Sequence, residues 1–282
     1  MTVVFKSPVN RFGGKFYLRD FLVQYIPQHT CYIEPFCGAG HLLFSKTLSQ
    51  VEVINDIDGH LIAFFQVIKD HEKRQKLIEI LEYMPYSRKL WQDIRTQWKA
   101  GNIPEDEIER SAQWFYLNRT TFAGDQKRGG FAIPSTTGRN PVQSFRNAVD
   151  SLKAIAERLR NVCIENLPYQ ECIKRYDSPE TLFYCDPPYL SHEGYYAKDA
   201  FTEQDHYRLA NILHSVKAKV MLSHYECGLY DQLYKGWQRY EYSSFKGSHK
   251  SEGGGKPKTV ECLYTNFEPV KTKGLFDENI LV

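Results

Sequence analysis

The chain has 282 residues and a formal net charge of +2, with 42% hydrophobic, 25% charged and 14% aromatic residues. That balance excludes a disordered or fibrous chain and is enough for one large core or two modest ones. Apolar runs are too short and interrupted for a transmembrane helix, and Met1 to Lys6 lack the apolar stretch of a signal peptide, so a cytoplasmic protein with no membrane association is expected.

In chain order, Phe16 to Ile26 reads as a helix and Cys31 to Phe36 as a short buried strand. A second helix is expected from Gly40 to Leu48, then a strand from Val51 to Asp56. From Ile57 to about Arg119 the pattern is one of consecutive helices, broken at Pro85 and at Gly101 to Pro104. A Gly-rich, polar and basic loop follows, Gly124 to Pro141. Pro141 opens an amphipathic helix to Arg160, with Phe145, Val149, Leu152, Ile155, Ala156 and Leu159 on one face. Strands are expected at Val162 to Asn166, Thr181 to Asp186 and Lys219 to Ser223. Between the last two, Thr202 caps a helix ending near Ser215, with Asp205 three residues on as in a capping box. Trp237 to Tyr242 and Val260 to Asn266 read as the arms of a hairpin. Strands alternating with helices predict an α/β fold, a mostly parallel Rossmann-like sheet covered on both faces. Residues 57–140 read as a mainly helical insert, leaving 1–56 and 141–282 as one discontinuous domain.

Seven cysteines without a CxxC pair predict reduced thiols and no metal site. Cys185 suggests a nucleophile by its place next to Asp186, but a small apolar residue ending a buried strand fits it better. Basic residues cluster in two loop-like stretches. Arg119, Lys127, Arg128, Arg139 and Arg146 face one acid, Asp125, and four lysines between Lys246 and Lys258 face Glu252. Such patches suit phosphate contacts, though solvated loops have the same composition.

Three features carry chemistry. Glu34-Pro35-Phe36-Cys37-Gly38-Ala39-Gly40 follows the first strand, where glycines let a ligand approach the backbone; an ordinary tight turn looks alike. Asp56, at the end of the second strand, is placed to accept hydrogen bonds from ribose hydroxyls or to cap a helix. Together they favour an adenosine-containing ligand. No third glycine completes a dinucleotide fingerprint.

The third feature is Asp186-Pro187-Pro188-Tyr189. Two successive prolines force the chain out of the sheet, leaving a rigid strand end with a carboxylate, a carbonyl and an aromatic ring. A simple Pro-Pro turn is the alternative. The exocyclic nitrogen of adenine is a poor nucleophile because its lone pair is delocalised. Two acceptors, the Asp186 carboxylate and the Pro187 carbonyl, suit its two hydrogens and stabilise the charge that develops during methylation. Tyr189 can stack on the base, worth ~1–3 kcal/mol.

In order along nearly its whole length, the chain resembles the Dam-type, D12-class adenine-N6 DNA methyltransferases. Arg11-Phe12-Gly13-Gly14-Lys15 resembles the xxGGK motif, Glu34 to Gly40 the ExFxGxG cofactor motif, and Asn55-Asp56 the acid that holds the cofactor ribose. Asn118 to Phe122 and Gly130 to Pro134 resemble the NRxxF…GxFxxP recognition segment. Asp186 to Tyr189 is the DPPY motif, and Leu222-Ser223 and Glu261 to Asn266 resemble the LS and ExLxxN signatures. The resemblance implies methyl transfer from S-adenosylmethionine to N6 of an adenine flipped out of double-stranded DNA, without a metal. It implies cofactor contacts from Arg11, Lys15, Glu34, Phe36, Gly38, Gly40, Asp56 and Asp186, and catalysis by Asp186, Pro187 and Tyr189. It also implies DNA contacts from the recognition segment and its basic loop: Arg119, Thr121, Phe122, Lys127, Arg128, Pro134 and Arg139. A loop from Ser191 to Asp199, with Tyr195 and Tyr196, is a candidate lid. The chain departs from the family in carrying Arg11 where an aromatic is commoner and Asn166-Leu167-Pro168 where many relatives have Asp-Phe. Ala123-Gly124-Asp125 stands where GATC-specific members have Asn-Gly-Leu, which leaves the recognition sequence open. An RNA amino methyltransferase, a cytosine-N4 enzyme and a non-catalytic DNA-binding module are the competing readings.

Overall fold

The computed structural model describes residues 5–11, 17–190, 201–245 and 258–269. Lys15, the candidate lid with Tyr195 and Tyr196, and the lysine-bearing link at 246–257 lie outside the described residues. Seven strands form one sheet: β1 (Cys31–Glu34), β2 (Val51–Asn55), β3 (Val162–Glu165), β4 (Thr181–Cys185), β5 (Lys219–Tyr225), β6 (Gln238–Phe245) and β7 (Lys258–Thr265). Their order is β3-β2-β1-β4-β5-β7-β6. The first five are parallel neighbours, and β7 inserts antiparallel between β5 and β6. The expected hairpin thus exists as the pair β6 and β7, with β7 also closing on β5.

Period-two alternation divides the strand side chains between two cores. Tyr32, Ile54, Tyr184 and Met221 face one layer, and Ile33, Val53, Phe183 and Val220 the other. The second layer is built from α7 (Tyr169–Tyr176), α8 (Glu203–Ser215) and α9 (Gly228–Leu233). The cap foreseen for α8 is present, with Asp205 accepting the Thr202 amide at 2.8 Å. The first layer holds α6 (Pro141–Leu159) and the insert helices α2 (Gly59–Lys69), α3 (His71–Tyr83), α4 (Arg88–Lys99) and α5 (Glu107–Thr120). α5 is buried nearly all round from Ser111 to Thr120, so the insert helices and the sheet share one core.

Two expected helices differ. The first is a short α1 (Arg19–Val23). The helix expected at Gly40 to Leu48 is a chain of turns. There the Leu43 amide donates to the Glu34 side chain at 2.8 Å, which ties the turns back to the end of β1.

Candidate active site

The sheet order reverses at β1: β2 continues on one side and β4 lies on the other, with Ile33 opposite Phe183. Crevices at such a switch point, beyond the carboxyl ends of the strands, are where ligands bind in open α/β sheets. The glycine turn leaves β1 there. Gly38 and Gly40 take φ of +48° and +65°, the left-handed region that a side chain disfavours. A Cβ on Gly38 would meet nothing within 4 Å, so the backbone there is open to a ligand; one on Gly40 would press on the Phe44 ring at 3.1 Å. Glu34 is buried, and its Oε1 accepts the Tyr32 hydroxyl at 2.7 Å and the Leu43 amide at 2.8 Å, holding both sides of the turn. Burial pushes its carboxyl up to about 7, against the hydrogen bonds from Tyr32 and Leu43.

The end of β2 is tied to this turn. Asp56 Oδ2 accepts the Gly38 amide at 2.8 Å and Oδ1 accepts the Asp58 amide at 3.0 Å. Burial raises the Asp56 pKa, with Arg11 pulling the other way. The helix cap, the alternative role for Asp56, is supplied by Asp58, whose Oδ1 accepts from His60 and Leu61 while Oδ2 takes the Arg11 guanidinium at 2.8 Å. A carboxylate offers about four lone-pair positions, so Asp56 keeps capacity for hydroxyl donors. Asn55 braces the neighbouring loops, donating to the Pro35 and Leu167 carbonyls and accepting the Leu167 amide at 2.8 Å.

β4 ends in Tyr184-Cys185, both buried, and Tyr184 meets Ser223 at 3.0 Å between hydroxyls. Burial drives the Cys185 thiol well above its ordinary value, which suits a structural residue and not a nucleophile. Asp186, Pro187, Pro188 and Tyr189 follow along the wall of one cavity of about 700 Å³. The Tyr189 hydroxyl donates to Glu261 at 3.3 Å, and its ring meets Tyr225 edge-on at 4.6 Å. Burial lifts the phenol well above its ordinary value, so it stays uncharged. The same cavity is lined by Arg11, Glu34, Phe36, Gly38, Gly40 and Asp56, which brings together every described residue expected at the cofactor and catalytic sites. Among the described residues no group of three His, Cys, Asp or Glu side chains is placed to hold a metal ion, and no helix is long and apolar enough to cross a membrane.

Residues 12–247 match the family model of D12 class N6 adenine-specific DNA methyltransferases. The chain belongs to that class. It is 26% identical to the Type II methyltransferase M.CviBI of Paramecium bursaria Chlorella virus NC1A, over 90% of this chain and 97% of that protein. It is also 26% identical to the DNA adenine methylase of Salmonella typhi, over 89% of this chain and 91% of that protein. The Type II methyltransferase M.MjaIII of Methanocaldococcus jannaschii is 30% identical over 73% of this chain and 78% of its own length. The protein is therefore an adenine-specific DNA methyltransferase, and the RNA, cytosine-N4 and non-catalytic readings fall away.

The segment expected to recognise DNA divides into buried and exposed residues. Arg119 and Thr121, expected as DNA contacts, are interior. Arg119 donates to Asn10 Oδ1 at 2.7 Å and to the Ser144 carbonyl at 2.8 Å, joining the N-terminal segment, α5 and α6. Thr121 accepts the Trp91 indole N–H at 2.9 Å. Both have exchanged water for protein partners. Phe122, Lys127, Arg128, Pro134 and Arg139 are exposed, and the Arg139 guanidinium lies over the Phe122 ring at 5.4 Å. The sequence did not reveal that residues of 57–140 also line this cavity. His60, Trp98, Trp114 and Gln126 stand in its wall, as do Tyr169 and Phe201 from the other layer. Helical spacing marks these tryptophans only as apolar. The contact with the cavity arises from tertiary packing.

Proposed function

We propose that the methyl donor is S-adenosylmethionine, that the adenine is flipped out of duplex DNA, and that both meet in the cavity at the β1/β4 switch point. The observation that carries this reading is the common wall: Gly38, Gly40 and Asp56 line the same cavity as Asp186 to Tyr189. The residues present fit the donor. Gly38 has open space where a Cβ would stand. Asp56 retains acceptor capacity for the ribose hydroxyls. The turn offers no lysine or arginine of its own to a phosphate, as suits a phosphate-free adenosine compound. Phe36 and Tyr169, 5.1 Å apart between ring centroids, supply aromatic surface.

Bound S-adenosylmethionine supplies a methyl group already activated by its sulfonium. The chain's own residues position the acceptor. Asp186 and the Pro187 carbonyl accept the two N6 hydrogens and draw the nitrogen toward tetrahedral geometry, stabilising its developing positive charge. The C–N bond forms as the C–S bond breaks, and the surplus N6 proton leaves along one of these hydrogen bonds, Asp186 being the stronger base of the two. Tyr189 offers its ring to the base. Flipping costs a few kcal/mol of unstacking and unpairing. Lys127, Arg128 and Arg139 hold phosphates, and Phe122 and Pro134 lie against the duplex.

The test is transfer of label from S-adenosylmethionine to N6-methyladenine in duplex DNA. Asp186→Ala should lower kcat by at least ~100-fold, as loss of one preorganised electrostatic partner does, with an unchanged circular dichroism spectrum. Undiminished turnover in a folded variant rejects the mechanism.

A further inference from the structure

The loop that carries the reacting residues has an anchoring problem. Pro187 and Pro188 have no N–H, so beyond Asp186 the backbone leaving β4 offers no amide donor until Tyr189 and Leu190. The neighbouring strand answers it. β5 runs beside β4 with Leu222 opposite Cys185, which brings His224 up to this backbone. His224 Nε2 stands 3.0 Å from the Leu190 nitrogen as acceptor of its N–H.

The chemistry fixes the state of the ring. An amide only donates, so Nε2 carries the lone pair and the proton sits on Nδ1, which donates to the Tyr225 carbonyl at 2.8 Å. Two backbone groups thus specify one neutral tautomer. Packing fixes the plane. His224 is 1% exposed and stacks on Tyr230 with centroids 3.6 Å apart and planes 16° apart. Tyr230 is held in turn by His206, with Nδ1 2.6 Å from its hydroxyl. The Tyr189 ring lies 4.7 Å from His224.

We propose that His224 is a positioning residue for methyl transfer: its neutral imidazole, by accepting the Leu190 amide, fixes the path on which Asp186 to Tyr189 leave the sheet. This rests on Asp186, Pro187 and Tyr189 being the residues that hold the base. The role differs from general packing because it needs an acceptor at one point. A displacement of about 1 Å at a reacting group can cost ~100-fold in rate, so slack in this anchor is read in turnover.

Two variants separate acceptor from shape. His224→Phe keeps an aromatic ring without an acceptor, and His224→Gln places a carbonyl near the position of Nε2. His224→Phe should lose roughly 10- to 100-fold in kcat, with KM for S-adenosylmethionine and for duplex DNA changed by less than about threefold, and His224→Gln should recover most of the loss. Full kcat in His224→Phe, or equal impairment of both variants with folds intact, would overturn the proposal. A measurement on the wild type covers the case in which His224→Phe does not fold. The imidazole nitrogen shifts of ¹⁵N-histidine-labelled enzyme should show His224 protonated at Nδ1; protonation at Nε2 overturns the proposal. Asp186→Ala is run alongside. If that variant is active, the base-holding reading fails and the proposal with it; if it is inactive while both His224 variants are normal, only the positioning role fails.

Discussion

Glu34 is an acid in the wall of the site with 1% of its surface exposed. Desolvation sets its pKa at about 7, while the Tyr32 and Leu43 hydrogen bonds and the Lys46 charge lower it. An unfolded chain ionises the same group near ~4.3. Below that pH both states hold the proton and the acid has no effect on folding. Between there and pH 7 the folded protein keeps a proton that the unfolded chain releases, so stability falls as pH rises. Above pH 7 the whole penalty is present, about 4 kcal/mol at ~1.4 kcal/mol per pH unit. Glu34→Gln keeps an acceptor for Leu43 and Tyr32 and has no charge to desolvate. Urea denaturation should show this variant gaining stability on the wild type between pH 5 and pH 8; a constant difference, or one of opposite sign, rejects the assignment. The sequence marked Glu34 as part of a cofactor motif and could not mark it as an acid without water. The burial of Arg119 was no more legible. Its partners Asn10 and Ser144 lie 109 and 25 residues away in the chain, so its burial is a tertiary fact.

At the scale of elements, the turn at Phe122–Gly124 couples the loop proposed to meet DNA to the N-terminal segment. Ala123 has φ of +56°, a left-handed conformation that only this non-glycine residue adopts among those described, and Gly124 follows at +70°. A Cβ on Gly124 would stand 2.5 Å from the Asn10 carbonyl oxygen. Asn10 is clasped to α5 through Asn118, which accepts its amide at 2.8 Å and donates to its carbonyl at 2.7 Å. Gly124→Ala must therefore strain the turn and also displace that clasp. Gly138, at φ +95° with nothing within 4 Å of its Cβ direction, is the control. Gly138→Ala should cost only the backbone strain, ~1–2 kcal/mol. Gly124→Ala should cost clearly more in thermal denaturation and weaken duplex binding as well; equal costs would mean that the Asn10 contact yields freely. Regular elements such as β1 to β5 and α6 were legible because their periodicity is local. This turn was not. Its position depends on an approach between residues more than 100 apart in sequence, and the turns after Gly40 are tied by a side-chain hydrogen bond from Leu43 to Glu34 that local periodicity does not report.

For the whole molecule, the sequence suggests a recognition insert hung on a separate catalytic sheet, and the packing argues for one cooperative unit. Phe64 of α2 stacks on Phe115 of α5 with centroids 4.8 Å apart and planes 13° apart, and Phe115 meets Phe145 of α6 at 6.3 Å. Phe65 of α2 meets Phe44 of the turns after Gly40 at 6.3 Å. These rings belong to the same buried cluster as Tyr32, Ile54 and Tyr184 of the sheet. Removing residues 57–140 would uncover α6 and one face of the sheet. The excised segment would in turn expose Phe64, Phe65 and Phe115, which are 0% exposed in the whole chain. Burying one such side chain contributes ~1.5–3 kcal/mol, comparable over three residues to much of a domain's net stability of ~5–15 kcal/mol. Calorimetry should therefore show one unfolding transition whose van't Hoff and calorimetric enthalpies agree, and a 57–140 fragment should lack a cooperative melt. A two-step melt with the insert unfolding first would require a boundary in this core that the side chains do not provide. The functional consequence follows from the same packing. Trp98 and Trp114 of the insert line the cavity that Asp186 and Gly38 share, so the insert helices and the strand ends form one continuous wall.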